Sequence, residues 1–191
     1  MIFDFDSRKA TQAAAVLLSA EGRAMDRMRL LKLLYLADRK LLAERGRPIT
    51  GDRAVAMNRG PVLSHVYNLI KGAERSPEDW SRFIDSAGKQ VVLVGDPGTG
   101  DLSRREIDAL EEIGQRYRAM TTLGLSALTH EFDEWRHNFV PDSSRPIPWV
   151  DVLKATGQAD RIAAFEAKLA EQNLLDSIFA APGEDAADGA R

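Results

Sequence analysis

The chain has 191 residues, 44% of them hydrophobic and 29% charged, with a net charge of −3; this is the make-up of an ordinary globular domain with enough chain for one core. It contains no cysteine, which excludes disulfides, thiolate metal sites and cysteine nucleophiles. No apolar run approaches the ~18 residues of a membrane span, and the acidic start MIFDFDSRKA lacks the apolar core of a signal peptide, so a cytoplasmic location is expected.

Residues 8–21 carry Ala10, Ala13, Ala14 and Leu17 on one helical face, after a cap at Asp6 or Ser7. Gly22 ends that helix. A second helix is expected from Met25 to Arg45, stopped by Gly46. Its middle, LLKLLYLA, is apolar nearly all round, the mark of a central buried helix. The next stretch, RPITGDRAVAMNRGPV, is broken by Pro48, Gly51, Gly60 and Pro61 and reads as extended, with RAVAM a short strand. Pro61 suits the first turn of a third helix, which carries Val62, Val66, Tyr67 and Ile70 and ends at Gly72. A turn of helix follows Pro77. RFID and KQVVLV then flank SAG as a β-hairpin.

The stretch VVLVGDPGTGDLS has the order of parts of a phosphate-binding loop, strand then glycines then helix. The chemistry fails at the decisive positions. Asp101 stands where the phosphate-binding lysine is needed, and Leu102 where the Mg²⁺-binding hydroxyl is needed. The loop therefore reads as a surface turn. Ser103 and Glu106 form an S-x-x-E capping box for a helix over 104–120, with the stripe Ile107, Leu110, Ile113, Tyr117 and Met120. A further helix from Thr121 or Thr122 carries Leu125, Leu128, Phe132 and Trp135 at helical spacing. VPDSSRPIP reads as a loop, and a short helix runs from Trp149 to Gly157.

From Gln158 a last helix presents Ile162, Phe165 and Leu169. After Gln172-Asn173 the apolar face rotates to Leu174, Leu175, Ile178 and Phe179, which points to a separate short helix, NLLDSIF. AAPGEDAADGAR is small and acidic, with the composition of a disordered tail. The expected fold is mainly α, in the α+β class: a helical domain with a small antiparallel hairpin or sheet over 1–157, a helical extension over 158–180, and an acidic disordered tail over 181–191.

Charge is unevenly spread. Between Arg23 and Arg59, ten Lys and Arg face four Asp and Glu, a local balance of +6. No aromatic interleaving accompanies it, and a pI near 5.7 argues against a dedicated nucleic-acid binder. Two of the three histidines lie in THEFDEWRH. His130, Glu134 and His137 share one face if this segment is one helix, and two imidazoles with a carboxylate can hold a metal. With no fourth ligand, a solvated helix face with an ordinary His–Glu pair is the simpler reading. No metal, cofactor or catalytic residue is assigned. Asp38, late in the buried helix, is a functional acid or a paired structural charge, because buried carboxylates need partners.

Four segments together are more telling: KLLYLADR (Lys32 to Arg39), RPITG (Arg47 to Gly51), A-x-x-x-G-P-V-x-x-x-V-Y (Ala56 to Tyr67) and L-x-x-L-T-H…W (Leu125 to Trp135). In this order and spacing they resemble the Panacea domain, of which the SocA-like antitoxins are members. The match extends over about residues 8–155 and weakens over 80–102. The resemblance implies a bacterial or phage-associated antitoxin that binds a cognate toxin protein, without catalysis. For some members it implies an adaptor that delivers the toxin to a ClpXP-type protease. The family supplies no catalytic residues to carry over. The toxin-facing surface is expected at the 49–62 loop with exposed residues of the second helix, through Asp38, Arg39, Asn58, Arg59 and His65. A loop stiffened by Gly and Pro beside a rigid helix makes a pre-organised surface.

Overall fold

The computed structural model describes residues 1–76 and 78–179. It is mainly helical, with two small three-stranded antiparallel sheets. The axis is α2 (Arg27–Arg45), buried from Leu30 to Asp38 without interruption, as its all-round apolar sequence demands. The carboxylate of Asp26 caps it, accepting from the N–H groups of Met28 (2.8 Å) and Arg29 (3.3 Å). Gly46 ends it in the left-handed conformation, at φ 75°. Helix α1 (Ser7–Ala20), capped by Asp6, packs along α2 together with α5 (Arg104–Arg116).

Two residues expected at the start of α2, Met25 and Asp26, are instead part of a strand. β1 (Ala24–Asp26) joins the hairpin of β4 (Ile84–Ala87) and β5 (Gln90–Leu93) in the order β1-β5-β4. An N-cap residue has extended backbone, and β5 supplies the hydrogen-bonding edge, pairing Met25 with Val91.

The second sheet has the order β3-β2-β6, from β2 (Ala54–Met57), β3 (Gly60–Leu63) and β6 (Arg145–Ile147). Two expectations are corrected here. Pro61 lies in β3, opposite Ala56, and does not open a helix; β3 is an edge strand, where the missing N–H costs no ladder bond. The segment read as the loop VPDSSRPIP contains β6, whose Pro146 sits opposite Val55 on the other edge. Helix α3 (Ser64–Lys71) begins only after β3. Its first N–H groups are taken by Asp52, which accepts from His65 N at 3.0 Å and Val66 N at 2.9 Å. The short α4 (Trp80–Phe83) follows.

The glycine-rich loop is a docked turn. Gln12 and Asp101 bind reciprocally, Nε2 to Oδ2 at 2.7 Å and Asp101 N to Oε1 at 3.0 Å. The capping box of Ser103 and Glu106 opens α5 as expected. The helix ends at Arg116, short of 120. The carbonyls of Tyr117 and Met120 turn aside to accept from Arg29, at 3.1 and 2.6 Å.

The single helix expected through Trp135 is two: α6 (Thr122–His130) and α7 (Asp133–Asn138), with Phe132 extended between them. Helix α8 (Trp149–Ala155) and a 3₁₀ turn (Ala159–Arg161) lead to α9 (Ile162–Phe179). NLLDSIF is the continuation of α9, not a separate helix. Phe165 packs on Gly46, whereas Leu174, Leu175 and Ile178 are 60%, 46% and 63% exposed. One continuous helix carries both apolar faces, and only the first is covered among the described residues. The acidic tail 181–191 lies outside them.

Candidate partner-binding surface

The loop between α2 and α3 divides into a buried half and an exposed tip. Asp38 makes the buried half. Its side chain is fully buried, and Oδ1 accepts from the N–H groups of Ile49 (2.8 Å) and Thr50 (3.1 Å) while Thr50 Oγ1 donates to Oδ2 at 2.5 Å. Burial pushes this carboxyl up to about 7, against the pull of those donors. Gly51 lies beneath the N-terminal segment, where a Cβ would stand 2.0 Å from the carbonyl oxygen of Asp4. Asp38, expected among exposed residues of the second helix, therefore faces inward and sets the path of residues 49–50.

Arg39 is also engaged within the fold. Its Nε donates to Glu134 Oε1 at 2.6 Å, and its guanidinium lies 4.1 Å from the ring centre of Phe132. Tyr35 Oη donates to the same carboxylate oxygen at 2.9 Å. His65 is half-buried, stacked on Phe5 at 4.6 Å, with Nδ1 2.9 Å from the Glu74 carboxylate.

Asn58 and Arg59 are exposed at the β2–β3 turn. The turn is held rather than loose. Asn58 Nδ2 donates to Asp142 Oδ1 at 2.8 Å, and Asp142 N donates back to Asn58 Oδ1 at 2.9 Å. Trp135 Nε1 donates to the Met57 carbonyl at 3.1 Å. Gly60, at φ 94°, sits so low over the core that a Cβ would stand 2.5 Å from Thr129 Oγ1 and 2.7 Å from Lys32 Nζ. That close approach is why glycine is needed. Beneath the turn Lys32 is buried and donates to the Pro61 carbonyl at 2.7 Å; burial lowers it to about 7. His130, stacked on Trp135 at 4.2 Å, is lowered by burial and by the neighbouring Lys32 charge.

Two hollows, of about 580 and 550 Å³, adjoin the tip and share Arg27, Met28 and Arg59. The first reaches Tyr67 and Asp142; the second reaches Lys89, His130 and Leu123, which is 82% exposed. Arg27, Arg59 and Lys89 form no ion pair among the described residues. The surface offers unpaired cations beside an exposed leucine and a fixed turn, the features of a protein-binding patch. Arg27, Lys89, Leu123 and Asp142 escaped the sequence reading. Leu123 had a signal, since it falls off the buried stripe of α6; the pairing of Asp142 with Asn58, 84 positions away, had none.

The helix break disperses His130, Glu134 and His137. Glu134 is buried on Arg39 and Tyr35, His130 stacks on Trp135, and His137 Nδ1 lies 2.7 Å from the Asp133 carbonyl. The solvated His–Glu face is thus corrected. Among the described residues no group of three His, Asp or Glu side chains is placed to hold a metal ion.

The family model described as antitoxin SocA-like, Panacea domain, matches residues 30–136, more than half of the chain. The chain belongs to that family, and membership supports an antitoxin role in a toxin–antitoxin pair rather than an enzymatic one. The matched segment includes Asp38, Arg39, the β2–β3 turn, His130 and Glu134, and excludes α1, Arg27, Asp142 and α9. No curated protein and no solved structure matches the chain. Among the described residues no helix is long and apolar enough to cross a membrane.

Proposed function

We propose that this protein neutralises a cognate protein toxin by binding it directly, through the Asn58–Arg59 tip and the two hollows beside it. The observation that carries the reading is the rigid, exposed turn flanked by Arg27, Arg59, Lys89 and Leu123, none of the cations being spent on an internal partner. A pre-organised surface loses little entropy on binding, and unpaired cations steer a complementary partner. Asn58 and Arg59 touch the toxin in this reading. Asp38, Arg39 and His65 act from behind, by holding the surface in place. The partner is a cytoplasmic toxin encoded nearby.

Co-expression tests this directly. The neighbouring gene is induced alone and with this protein, growth is followed, and complex formation is read by co-purification. Rescue with a stable complex, lost in Arg59→Glu, supports the proposal. Rescue unaffected by Arg59→Glu and Arg27→Glu together moves the interface elsewhere, and a harmless neighbour removes the toxin assignment.

A second reading, an adaptor that delivers the toxin to a ClpXP-type protease, is favoured by the exposed Leu174, Leu175 and Ile178 at the end of α9. Deleting residues 172–191 separates the two. If toxin turnover stops while toxin binding persists, the adaptor reading stands; if turnover never depended on this protein, it falls.

A further inference from the structure

A second cleft lies away from the tip, where the C-terminal end of α2 meets the start of α5 and the root of α9. It holds about 230 Å³. Its floor is apolar, built by Phe3, Leu41 and Phe165. Arg45, Arg47, Arg105 and Lys168 stand around it, all exposed. None of the four makes an ion pair or a side-chain hydrogen bond among the described residues. The acid at the cleft, Glu106, is occupied: it accepts from Lys9 Nζ at 2.7 Å and from Ser103 N at 2.7 Å.

A helix-capping role does not account for Arg45. A basic residue in the last turn of a helix commonly serves its free carbonyls. Here Gly46 N takes the Leu42 carbonyl at 2.7 Å, and Arg161 takes those of Ala43 and Glu44 at 3.4 and 3.3 Å. Arg45 is left over. The cleft also straddles a seam. Arg45, Arg47 and Arg105 lie in the family-matched segment, whereas Phe3, Phe165 and Lys168 lie outside it. The cleft therefore exists only where α9 is docked on the family core.

We propose that this cleft binds a linear segment of a partner protein in which acidic residues flank one apolar side chain. The apolar side chain rests on the Phe3–Phe165 floor, and the carboxylates take the guanidinium groups, which suit paired N–H···O contacts. The size of the cleft points the same way. Small-molecule sites are typically about 300–1,000 Å³, so this one admits one or two side chains rather than a whole cofactor. Single-stranded nucleic acid takes successive bases on a row of aromatic rings, and among the described residues Phe3 and Phe165 alone supply rings to this cleft. The site is independent of the toxin-binding tip.

The test pans a displayed library of random twelve-residue peptides on the full chain, with a labelled single-stranded DNA of the same length as a parallel probe. Enriched peptides are expected to carry several Asp or Glu around a Leu, Ile or Phe. Their affinity should fall about tenfold or more in Arg45→Glu/Arg105→Glu, and with added salt, while Arg59→Glu leaves it unchanged. Lys168→Glu provides the same reading from another element should the double variant fold poorly. Enrichment without acidic bias, equal binding by the cleft variants, loss in Arg59→Glu alone, or cleft-dependent binding of the DNA in place of peptides would each overturn the proposal. Toxin rescue by Arg45→Glu/Arg105→Glu is read separately, so failure of the tip and failure of the cleft are distinguishable.

Discussion

Glu134 and Arg39 meet with 2.6 Å between Oε1 and Nε, at a carboxylate whose side chain is fully buried. Tyr35 completes the group, and its hydroxyl is pushed well above its ordinary range by burial and then by the Glu134 charge. The pair ties α7 to α2 across 95 positions of sequence. Removing one member leaves a buried charge without its partner, which typically costs about 3–5 kcal/mol. Arg39→Ala is therefore expected to lower urea-unfolding stability by about 3 kcal/mol. Toxin binding should fall only as far as the folded fraction does. Unchanged stability with abolished binding would show that Arg39 contacts the toxin itself.

At the tip the balance reverses. Arg59 is exposed and unpaired, so Arg59→Glu should change stability by less than about 0.5 kcal/mol. Its effect should appear in toxin binding, chiefly as slower association that depends on salt. Surface plasmon resonance at two ionic strengths separates this from a folding defect.

Glycine substitutions discriminate backbone strain from collision. Gly51 and Gly88 have similar φ, 65° and 64°. A Cβ on Gly51 would strike the Asp4 carbonyl, whereas one on Gly88 meets nothing within 4 Å. Gly88→Ala should cost about 1–2 kcal/mol, for the left-handed conformation alone. Gly51→Ala should cost clearly more, because backbone has to move. Paired thermal melts check the order, and equal losses would mean that the N-terminal segment yields freely.

Asp38 and Lys32 give opposite pH dependences. Asp38 is raised to about 7 from 3.8, so between those values the native state holds a proton that the unfolded chain has lost. Its contribution to stability is fully present below the unfolded value and falls as pH rises to about 7. Lys32 is lowered to about 7 from 10.5, so over that upper window the unfolded chain holds the extra proton, and stability rises with pH. Urea unfolding from about pH 5 to about pH 9 should show a dip near neutrality. Asp38→Asn should lessen the fall on the acid side, to which Asp52, also raised by burial, contributes with the same sign, while leaving the rise on the alkaline side.

Local signals carried much of the architecture. The all-round apolar LLKLLYLA marked the central helix, the S-x-x-E box marked the start of α5, and the RFID and KQVVLV segments around SAG marked the β4–β5 hairpin, although Arg82 and Phe83 belong to α4 and the turn is Gly88-Lys89 rather than SAG. The missing lysine at Asp101 also sufficed to set aside a phosphate loop. The site was less legible. Asn58 and Arg59 were singled out because they precede Gly60-Pro61 between two helices, and they lie at an exposed turn. Asp38 and Arg39 were noticed as charges in an apolar helix, but their direction was not readable.

What the sequence by itself determined was whatever depends on neighbours within a turn or a hairpin: helix periods, caps, the left-handed glycine at 46, and the ordered motifs of the family. Tertiary structure decided what depends on partners far along the chain. β1 and β6 are too short to announce themselves and exist because β5 and β2 offer free edges. The stripe from Leu125 to Trp135 is consistent with one helix, and the chain breaks it at Phe132, where Glu134 turns inward to Tyr35 and Arg39. Local periodicity records which residues shun water; it does not record where a buried charge will find its counterpart.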